Sequence, residues 1–320
     1  MHADALIKSK DMSDAAVLHR FFTDQLGVWP EAKARYDALD NVCTRTVMVD
    51  DYPVLLQHNP ARAVSTAAKV DSESIRQRKC FLCPDARPPQ QTSLSLVDGY
   101  DVLVNPFPIF PEHFTIVSHK HEPQSAVDLN VAAELAMRLP GYVVFFNGAK
   151  SGASAPDHLH LQAGNEDFLP LTRYSELNPG QVIAADGPTT VYAMNELPMS
   201  ALHIVTPVLS DYALRWLDML LPDNADGLPD RDMRNIVFRR GADDNLHILF
   251  FPRLAHRPSC YYDKERMFMV SPGAVDMCGV LILPRKDDFD SIERSDIRGI
   301  YAEVSYRYCE SERFKTLLLS

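Results

Sequence analysis

Residues 147–162 read NGAKSGASAPDHLHLQ and follow the apolar run YVVFF at residues 142–146. The stretch begins as a loop of small residues and ends in HLHLQ, where His158, His160 and Gln162 alternate with two leucines. In a β-strand, side chains two residues apart share a face, so the histidines and the glutamine face one way and the leucines enter the core. The small loop lets phosphate oxygens approach its backbone amides. The stretch therefore predicts a site for chemistry on a phosphate ester.

The bulk composition is that of an ordinary globular protein. The 320 residues, 46% hydrophobic and 23% charged, suffice for one large core or for two domains. The formal net charge of −11 argues against a general affinity for nucleic acid or for an anionic membrane. We find no signal peptide and no apolar run as long as a membrane span, and the six cysteines then indicate a reducing compartment. We expect a cytoplasmic protein.

Hydrophobic periodicity predicts an α+β chain. Ser13 is the expected N-cap of the first helix and Gly27 its expected stop. The predicted helices are residues 13–26, 31–39, 123–139, 211–221 and 291–319. The predicted strands, besides the two quoted above, are residues 42–49, 53–57, 100–104, 115–117, 190–194, 267–270 and 280–283.

Residues 235–253, NIVFRRGADDNLHILFFPR, repeat the strand, polar turn and strand of residues 142–162. His247 is the one histidine of this second copy and lies among apolar residues, so we interpret it as a core residue. Two copies of a mixed unit, the second degenerate, predict an internal duplication. The expected parts are N-terminal helices (1–41), a first unit that carries the site (42–187), and a second unit with C-terminal helices (188–320).

Cys80 and Cys83, in CFLC, are spaced as half of a tetrahedral zinc site that histidines elsewhere would complete. The alternative is two unrelated buried thiols, because free cysteine behaves as a small hydrophobe. His119 and His121, in SHKH, are both candidate ligands, and the sequence does not separate them. His158 and His160 also fit a structural zinc site or a metal that activates water. The small loop before them favours phosphate.

A neutral imidazole is a competent nucleophile toward phosphorus, and a covalent histidine intermediate would split a transfer into two displacements. Only one histidine of the pair need react, and Gln162 can hydrogen-bond a non-bridging phosphate oxygen. Gln57 and Arg62, in QHNPAR, lie either in an edge strand that runs into a loop or in a phosphate clamp. Arg253 ends the second copy and is a further candidate anion contact.

Four motifs in this order, CFLC, NPFPIFPEHF, SHKH and NGAKSGASAPDHLHLQ, resemble the galactose-1-phosphate uridylyltransferase branch of the histidine-triad superfamily. The SGAS portion also resembles diadenosine tetraphosphate phosphorylases. HLHLQ, QHNPAR, CGVLILPRKDDFDSI and AEVSYRYCESERFKTLL are most similar to GDP-hexose phosphorylases of the GDP-L-galactose type. The resemblance spans about residues 57–315. It implies a duplicated histidine-triad-like unit with antiparallel half-barrel sheets flanked by helices.

The resemblance also implies roles for individual residues. His160 corresponds to the nucleophile and Gln162 to a glutamine that contacts the reacting phosphate. The loop that binds the α-phosphate region corresponds to Asn147, Gly152 and Ser154. The implied ligands of a structural zinc ion are Cys80, Cys83, His121 and His158.

We therefore expect a phosphorylase that cleaves a nucleoside-diphosphate hexose, GDP-hexose first, with phosphate to hexose 1-phosphate and nucleoside diphosphate. By analogy, the sugar pocket would include the turn at residues 271–276. The alternatives are a dinucleoside polyphosphate phosphorylase, a hexose-1-phosphate uridylyltransferase, and a zinc-stabilised nucleotide-binding module without activity. The sequence leaves open the base, the sugar, and whether the protein is a monomer or a homodimer.

Overall fold

The computed structural model describes residues 12–68, 71–310 and 314. The α-helices are α1 (Asp14–Val28), α2 (Pro30–Asp37), α3 (Ala63–Thr66), α4 (Ser72–Gln77), α5 (Leu129–Arg138), α6 (Pro170–Leu177), α7 (Asp211–Met219), α8 (Ala274–Met277), α9 (Lys286–Ser291) and α10 (Arg294–Val304). The strands are β1 (Cys43–Val49), β2 (Tyr52–His58), β3 (Tyr100–Val104), β4 (His113–Ser118), β5 (Tyr142–Asn147), β6 (His160–Asn165), β7 (Gln181–Asp186), β8 (Thr189–Ala193), β9 (Leu202–Thr206), β10 (Arg234–Arg240), β11 (Leu246–Pro252) and β12 (Val280–Leu283). None of the described helices is both long and apolar enough to cross a lipid bilayer.

Within the described residues, nine strands form one antiparallel sheet in the order β3-β4-β6-β5-β10-β11-β9-β8-β7. The order β3-β4-β6-β5 is repeated as β8-β9-β11-β10, and the two sets meet where β5 pairs with β10. A helix follows the second strand of each set, α5 after β4 and α7 after β9. This repeated order is what an internal duplication produces, and the predicted α+β class with antiparallel strands and flanking helices is confirmed.

The described part of the chain also contains a three-stranded sheet, β1-β2-β12, in which β12 runs parallel to β2. β12, from the C-terminal half of the chain, therefore adds a third strand to the β1–β2 hairpin of the N-terminal half. The β7–β8 hairpin likewise crosses the boundary predicted at residue 187. The division into domains stays a prediction.

Two apolar cores cover the two faces of the large sheet. Leu159 and Leu161 point into the first core, which α1, α5 and α7 close on their apolar sides. Phe145 and Phe251 point into the second core, against the small sheet, α8 and α10. Burying each of these large side chains stabilises the fold by about 1.5–3 kcal/mol. Packing on both faces therefore holds β5 and β6 in one register, and these strands fix the two ends of the loop between residues 147 and 160.

The first helix begins as predicted, because the Ser13 hydroxyl accepts a hydrogen bond of 3.3 Å from the Ala16 amide. It ends at Val28, one residue beyond the predicted stop at Gly27. The helix predicted for residues 123–139 is wrong in its first turn. Residues 124–126 form a short 3-10 turn, and α5 begins only after Asp128, whose side chain caps it.

Two C-terminal predictions also need correction. Residues 267–270 are not in a sheet, because the Met269 amide donates to the Asp288 carboxylate and the Phe268 amide donates to the Cys260 carbonyl. The helix predicted for residues 291–319 is interrupted after α9 and ends at Val304, where the next residue forms a bridge with Arg253. Its last part, except Phe314, lies outside the described residues beyond 310.

Candidate active site

A cleft of about 1030 Å³ opens on the large sheet, where β5 ends and β6 begins. Six of the predicted site residues line it: Arg62, Asn147, Gly152, Ser154, His160 and Gln162. The turn at residues 271–276, which was predicted to help form the substrate pocket, also contributes to the wall. The structure thus brings the quoted stretch together with residues more than a hundred positions away.

His160 begins β6 and is only 5% exposed. Its Nδ1–H donates a hydrogen bond of 2.8 Å to the backbone carbonyl of His158, so in the neutral ring Nε2 keeps its lone pair. Burial lowers the pKa of His160. This effect is larger than the rise in pKa that the hydrogen bond to the His158 carbonyl causes. No hydrogen-bond partner of Nε2 lies within the described residues. The lowered pKa favours the neutral ring, in which Nε2 presents a nucleophilic lone pair.

Gln124 fixes the backbone on both sides of the site, a role that the sequence did not reveal. Its side-chain oxygen accepts the His160 amide at 3.0 Å. Its nitrogen donates to the carbonyls of His160 and Asn147 at 2.8 and 2.9 Å. Gln124 is fully buried, in the segment where a helix was predicted. The available signal in the sequence was the polar Gln124 within a segment whose apolar residues have helical spacing. That spacing predicted a helix and gave Gln124 no special role.

Asn147 ends β5 and turns the donor side of its amide toward the cleft. Its Oδ1 accepts two hydrogen bonds of 2.7 Å, from the Asn235 side chain and from the Ala274 amide. Because the oxygen is engaged from behind, the Nδ2 hydrogens are left for a ligand. This polarity suits a phosphate oxygen, which only accepts hydrogen bonds.

The loop after Asn147 depends on glycine at two positions. Gly152 has a φ of +95°, and a Cβ there would lie 2.7 Å from the Cα of Gly273. A Cβ on Gly148 would lie 2.3 Å from the Asp232 carbonyl oxygen. The loop is therefore clamped between the segment just before β10 and the 271–276 turn, with no room for a side chain on its packed side.

Two loop groups differ in what they offer a ligand. The Gly152 amide donates to Nδ1 of His256 at 3.4 Å, so in this structure it is not directed at the cleft. The hydroxyl of Ser154 lines the cleft, and no residue in the described ranges hydrogen-bonds it. Ser154 is thus the better placed of the two for a direct contact.

Three predicted anion contacts occupy different places. Arg62 lines the cleft and donates to the Phe107 carbonyl at 2.8 Å. Burial lowers the pKa of Arg62 to about 10, so it remains a cation at pH 7. Gln57 is buried and accepts from Asn59 at 3.3 Å, away from the cleft wall.

Arg253 lies behind the loop and does not reach the cleft. It is fully buried, and its guanidinium donates to the Asn235 side chain and to the carbonyls of Pro272 and Val304. Asn235 in turn holds Asn147. In this structure Arg253 braces the residues that shape the site, where a direct anion contact was predicted.

Cys80, Cys83, His121 and His158 form one cluster whose candidate ligand atoms all lie within 4.8 Å of one another. Cys80 Sγ is 3.3 Å from His158 Nδ1, and Cys83 Sγ is 3.2 Å from His121 Nδ1. A tetrahedral zinc site with its usual bond lengths separates sulfur from nitrogen by about 3.5 Å. The donor set and its spacing therefore fit a zinc ion.

Groups around the cluster orient its histidines. His158 Nε2 lies 2.8 Å from the Ser118 carbonyl, which makes Nδ1 the free ligand atom. His121 Nε2 faces the Asp157 carboxylate at 3.9 Å. His119 instead lies 3.2 Å from Asp101. The strand ends at Ser118, so alternation stops there and tertiary packing selects His121.

His247 occupies, in the repeated strand order, the position that His160 has in the first half. It is 6% exposed and its Nδ1 lies 3.0 Å from His203, while its Nε2 lies 2.9 Å from Asp243. Both ring nitrogens are engaged, which agrees with the structural role predicted for it.

Comparison with protein families gives a match to the model described as "Domain of unknown function (DUF4922)" over residues 21–165. Among curated proteins, the chain is 29% identical over 128 residues to diadenosine 5',5'''-P1,P4-tetraphosphate phosphorylase 2 of Saccharomyces cerevisiae. It is 28% identical over 110 residues to protein APA1 of the same yeast. These matches cover 35% and 26% of this chain and span 39% and 34% of the two relatives.

Among solved structures, the crystal structure of yeast Ap4A phosphorylase Apa2 is similar, with a TM-score of 0.56 and 16% identity over 87% of this chain and 94% of that one. The same enzyme in complex with Ap4A gives a TM-score of 0.55 and 14% identity over 87% and 96%. At this identity the likeness concerns the fold. The chain therefore has the α+β fold of Apa2, a large antiparallel sheet flanked by helices.

Proposed function

We propose that the protein is a nucleotidyl-transferring phosphorylase that works through a covalent bond between His160 and a nucleoside monophosphate. The observation that carries the proposal is the geometry of His160, a buried ring that lines the cleft and whose Nδ1 is hydrogen-bonded to the His158 carbonyl, which leaves Nε2 as the reactive nitrogen. Beside it, Asn147 and Gln162 supply amide groups and Arg62 supplies a cation. A nucleophile with donors around it is what transfer at phosphorus requires.

In the first step, Nε2 attacks the α-phosphorus of a nucleotide anhydride. The Nε2–P bond forms, the P–O bond to the rest of the substrate breaks, and the leaving fragment departs with a terminal phosphate. The attacking ring becomes cationic, and the hydrogen bond from its Nδ1–H to the His158 carbonyl stabilises that charge. Hydrogen bonds donated by the Asn147 and Gln162 amides stabilise the negative charge that develops on the non-bridging oxygens.

In the second step, inorganic phosphate attacks the same phosphorus. The P–N bond breaks, a nucleoside diphosphate leaves, and His160 returns to its neutral form. Arg62 lines the cleft and supplies a positive charge that favours entry of the anionic phosphate.

For the substrate we favour a dinucleoside polyphosphate over a GDP-hexose. The sequence analysis put GDP-hexose first, whereas a named yeast relative and the solved structures of similar fold are Ap4A phosphorylases. With diadenosine tetraphosphate, the first step releases ATP and the second ADP. GDP-hexose stays the second candidate because the motif CGVLILPRKDDFDSI, which resembles GDP-hexose phosphorylases, contributes to the cleft. The motif includes β12, and Ile282 of that strand lines the cleft.

A zinc ion held by Cys80, Cys83, His121 and His158 would supply structure and take no part in the transfer. The two residues between the cysteines, Phe81 and Leu82, line the cleft. Holding both cysteines in place would therefore also hold one wall of the substrate site.

The test is a panel assay with inorganic phosphate and diadenosine tetraphosphate, GDP-hexoses or UDP-hexoses, analysed by chromatography of the products. Intact mass measurement without phosphate should show a nucleoside monophosphate adduct, which His160→Ala should lack. His119→Ala, a half-exposed histidine outside the cleft, is the matched control and should keep the adduct. Nucleotide binding without any adduct or product would support the non-catalytic binding module and overturn the proposal.

A further inference from the structure

A second histidine, His113, lies behind Gln162 and is completely buried. Its Nε2 is 3.0 Å from the side-chain oxygen of Gln162. Its Nδ1 accepts a hydrogen bond of 3.2 Å from the backbone amide of Ile109. His113 belongs to the NPFPIFPEHF motif, and the reaction outlined above gives it no role.

These two contacts fix where the ring proton lies. A backbone N–H can only donate, so Nδ1 of His113 must be the acceptor, and the neutral ring carries its hydrogen on Nε2. That hydrogen is donated to Gln162, whose oxygen therefore faces His113. The NH₂ end of Gln162 is then the end left for the cleft, which this residue lines.

We propose that His113 is a positioning residue that holds the Gln162 amide with its NH₂ group toward the substrate phosphate. The inference rests on the proposed function, because it assigns the polarity of one contact in that site. The ligand atom it selects is a pure acceptor, such as a non-bridging oxygen of an ionised phosphate. A ligand hydroxyl that must donate a hydrogen bond at this point would face the two hydrogens of the Gln162 NH₂ group, so its binding would be disfavoured.

The surroundings keep His113 in this form. Its ring packs against Phe110 at 5.2 Å and against Phe145 at 6.2 Å between centroids. Burial, with the nearby Arg62 cation, lowers the pKa of His113 to about 3. A protonated ring would also place an N–H against the Ile109 amide, so the neutral form suits the packing.

Asn147 shows the same arrangement on the neighbouring strand. Its oxygen is held from behind by Asn235 and Ala274, as the oxygen of Gln162 is held by His113. Two amides beside His160 thus turn their donor ends to the cleft, each set by buried partners. Shared polarity at two positions is what binding of an anionic group requires.

A double-mutant cycle tests whether His113 acts through Gln162. We would measure kcat/KM and, separately, the affinity for AMP in wild type, His113→Phe, Gln162→Leu and the double variant. Loss of a donor to a charged phosphate should cost roughly 10- to 100-fold in His113→Phe. The double variant should be no worse than Gln162→Leu alone. Losses that simply multiply would show a role in folding only and would overturn the inference.

A conservative variant and a spectrum make the test independent of folding and of turnover. His113→Gln keeps a donor near the position of Nε2 and should recover most of the loss, with thermal unfolding followed for every variant. In ¹⁵N-edited histidine spectra of the wild type, the signals missing from His113→Gln should report a neutral ring protonated on Nε2. Protonation on Nδ1 would overturn the inference even in an active phosphorylase. Coupled AMP affinities without any turnover would instead contradict the proposed function.

Discussion

The ring of His160 donates its Nδ1–H to the backbone carbonyl of His158 at 2.8 Å, and the ring of His158 belongs to the cysteine–histidine cluster. The candidate nucleophile is therefore oriented by the backbone of a candidate metal ligand. Any shift of His158 would move the acceptor that keeps the lone pair of His160 on Nε2. The metal cluster and the transfer site are thus joined through one peptide group.

We predict that the purified protein contains about one zinc ion per chain, because the four side chains match a closed tetrahedral site. Cys80→Ser should lose the metal and lower the thermal unfolding midpoint by several degrees. Metal content would be measured by mass spectrometry after growth with added zinc. Cys43→Ser is the control, since this exposed cysteine lies on β1 outside the cluster. Equal zinc in Cys80→Ser and wild type would refute the four-ligand site.

Removing the nucleophile should abolish transfer. His160→Ala is expected to lower kcat by at least about 10³-fold, because the covalent intermediate cannot form. Its fold should persist, since Gln124 bonds the backbone of His160 and not its ring. Initial rates with the best panel substrate and far-UV circular dichroism would check both statements. A variant that keeps the wild-type rate would assign the chemistry to another residue.

Buried histidines should make stability fall in mild acid. Burial lowers the pKa of His203 to about 3, so the folded state stays unprotonated there while the unfolded chain takes up a proton near pH 6.5. The sign follows: the contribution is present above pH 6.5 and is lost as the pH falls. From pH 7 to pH 5 this one group should remove about 2 kcal/mol of unfolding free energy.

The measurement for His203 is urea unfolding at both pH values in wild type and His203→Gln. Because the substitution also changes the absolute stability, the quantity compared is the change in unfolding free energy between pH 7 and pH 5. That change should be about 2 kcal/mol smaller in the variant, which has no proton to take up. Equal changes would mean that His203 has an ordinary pKa in the folded protein.

Gly152→Ala should damage the loop more than a matched glycine substitution elsewhere. Both Gly152 (φ +95°) and Gly99 (φ +82°) have positive φ, but only at Gly152 would a Cβ strike another backbone, that of Gly273. Gly99→Ala should cost about 1 kcal/mol from backbone conformation alone. Gly152→Ala should cost more and should also weaken AMP binding.

Denaturant unfolding and AMP titration of the two glycine variants would separate these effects. If Gly152→Ala bound AMP as well as Gly99→Ala does, the loop would have no part in holding the α-phosphate. The comparison cancels the strain that any alanine has at positive φ, and it leaves the contact with Gly273 as the difference.

Local rules account for what the sequence determined by itself. Period-2 alternation placed His160 and Gln162 on one face, because successive side chains in a strand alternate sides. The strand was predicted to include His158 as well, but β6 begins at His160 and His158 joins the cysteine cluster. The Ser13 cap and the α+β class followed from similarly short-range patterns, and the CFLC spacing marked a possible metal pair. Each of these depends on residues at most a few positions apart.

Tertiary structure alone decided the partners of those residues. It selected His121 over His119, put Gln124 and His113 behind the site, and moved Arg253 out of the cleft and behind Asn235. The hydrogen bond from Asn235 to Asn147 joins residues 88 positions apart. Such contacts depend on the pairing of β5 with β10 and the packing of the 271–276 turn against the loop. No periodicity encodes them, because they form only when the two halves of the sheet meet.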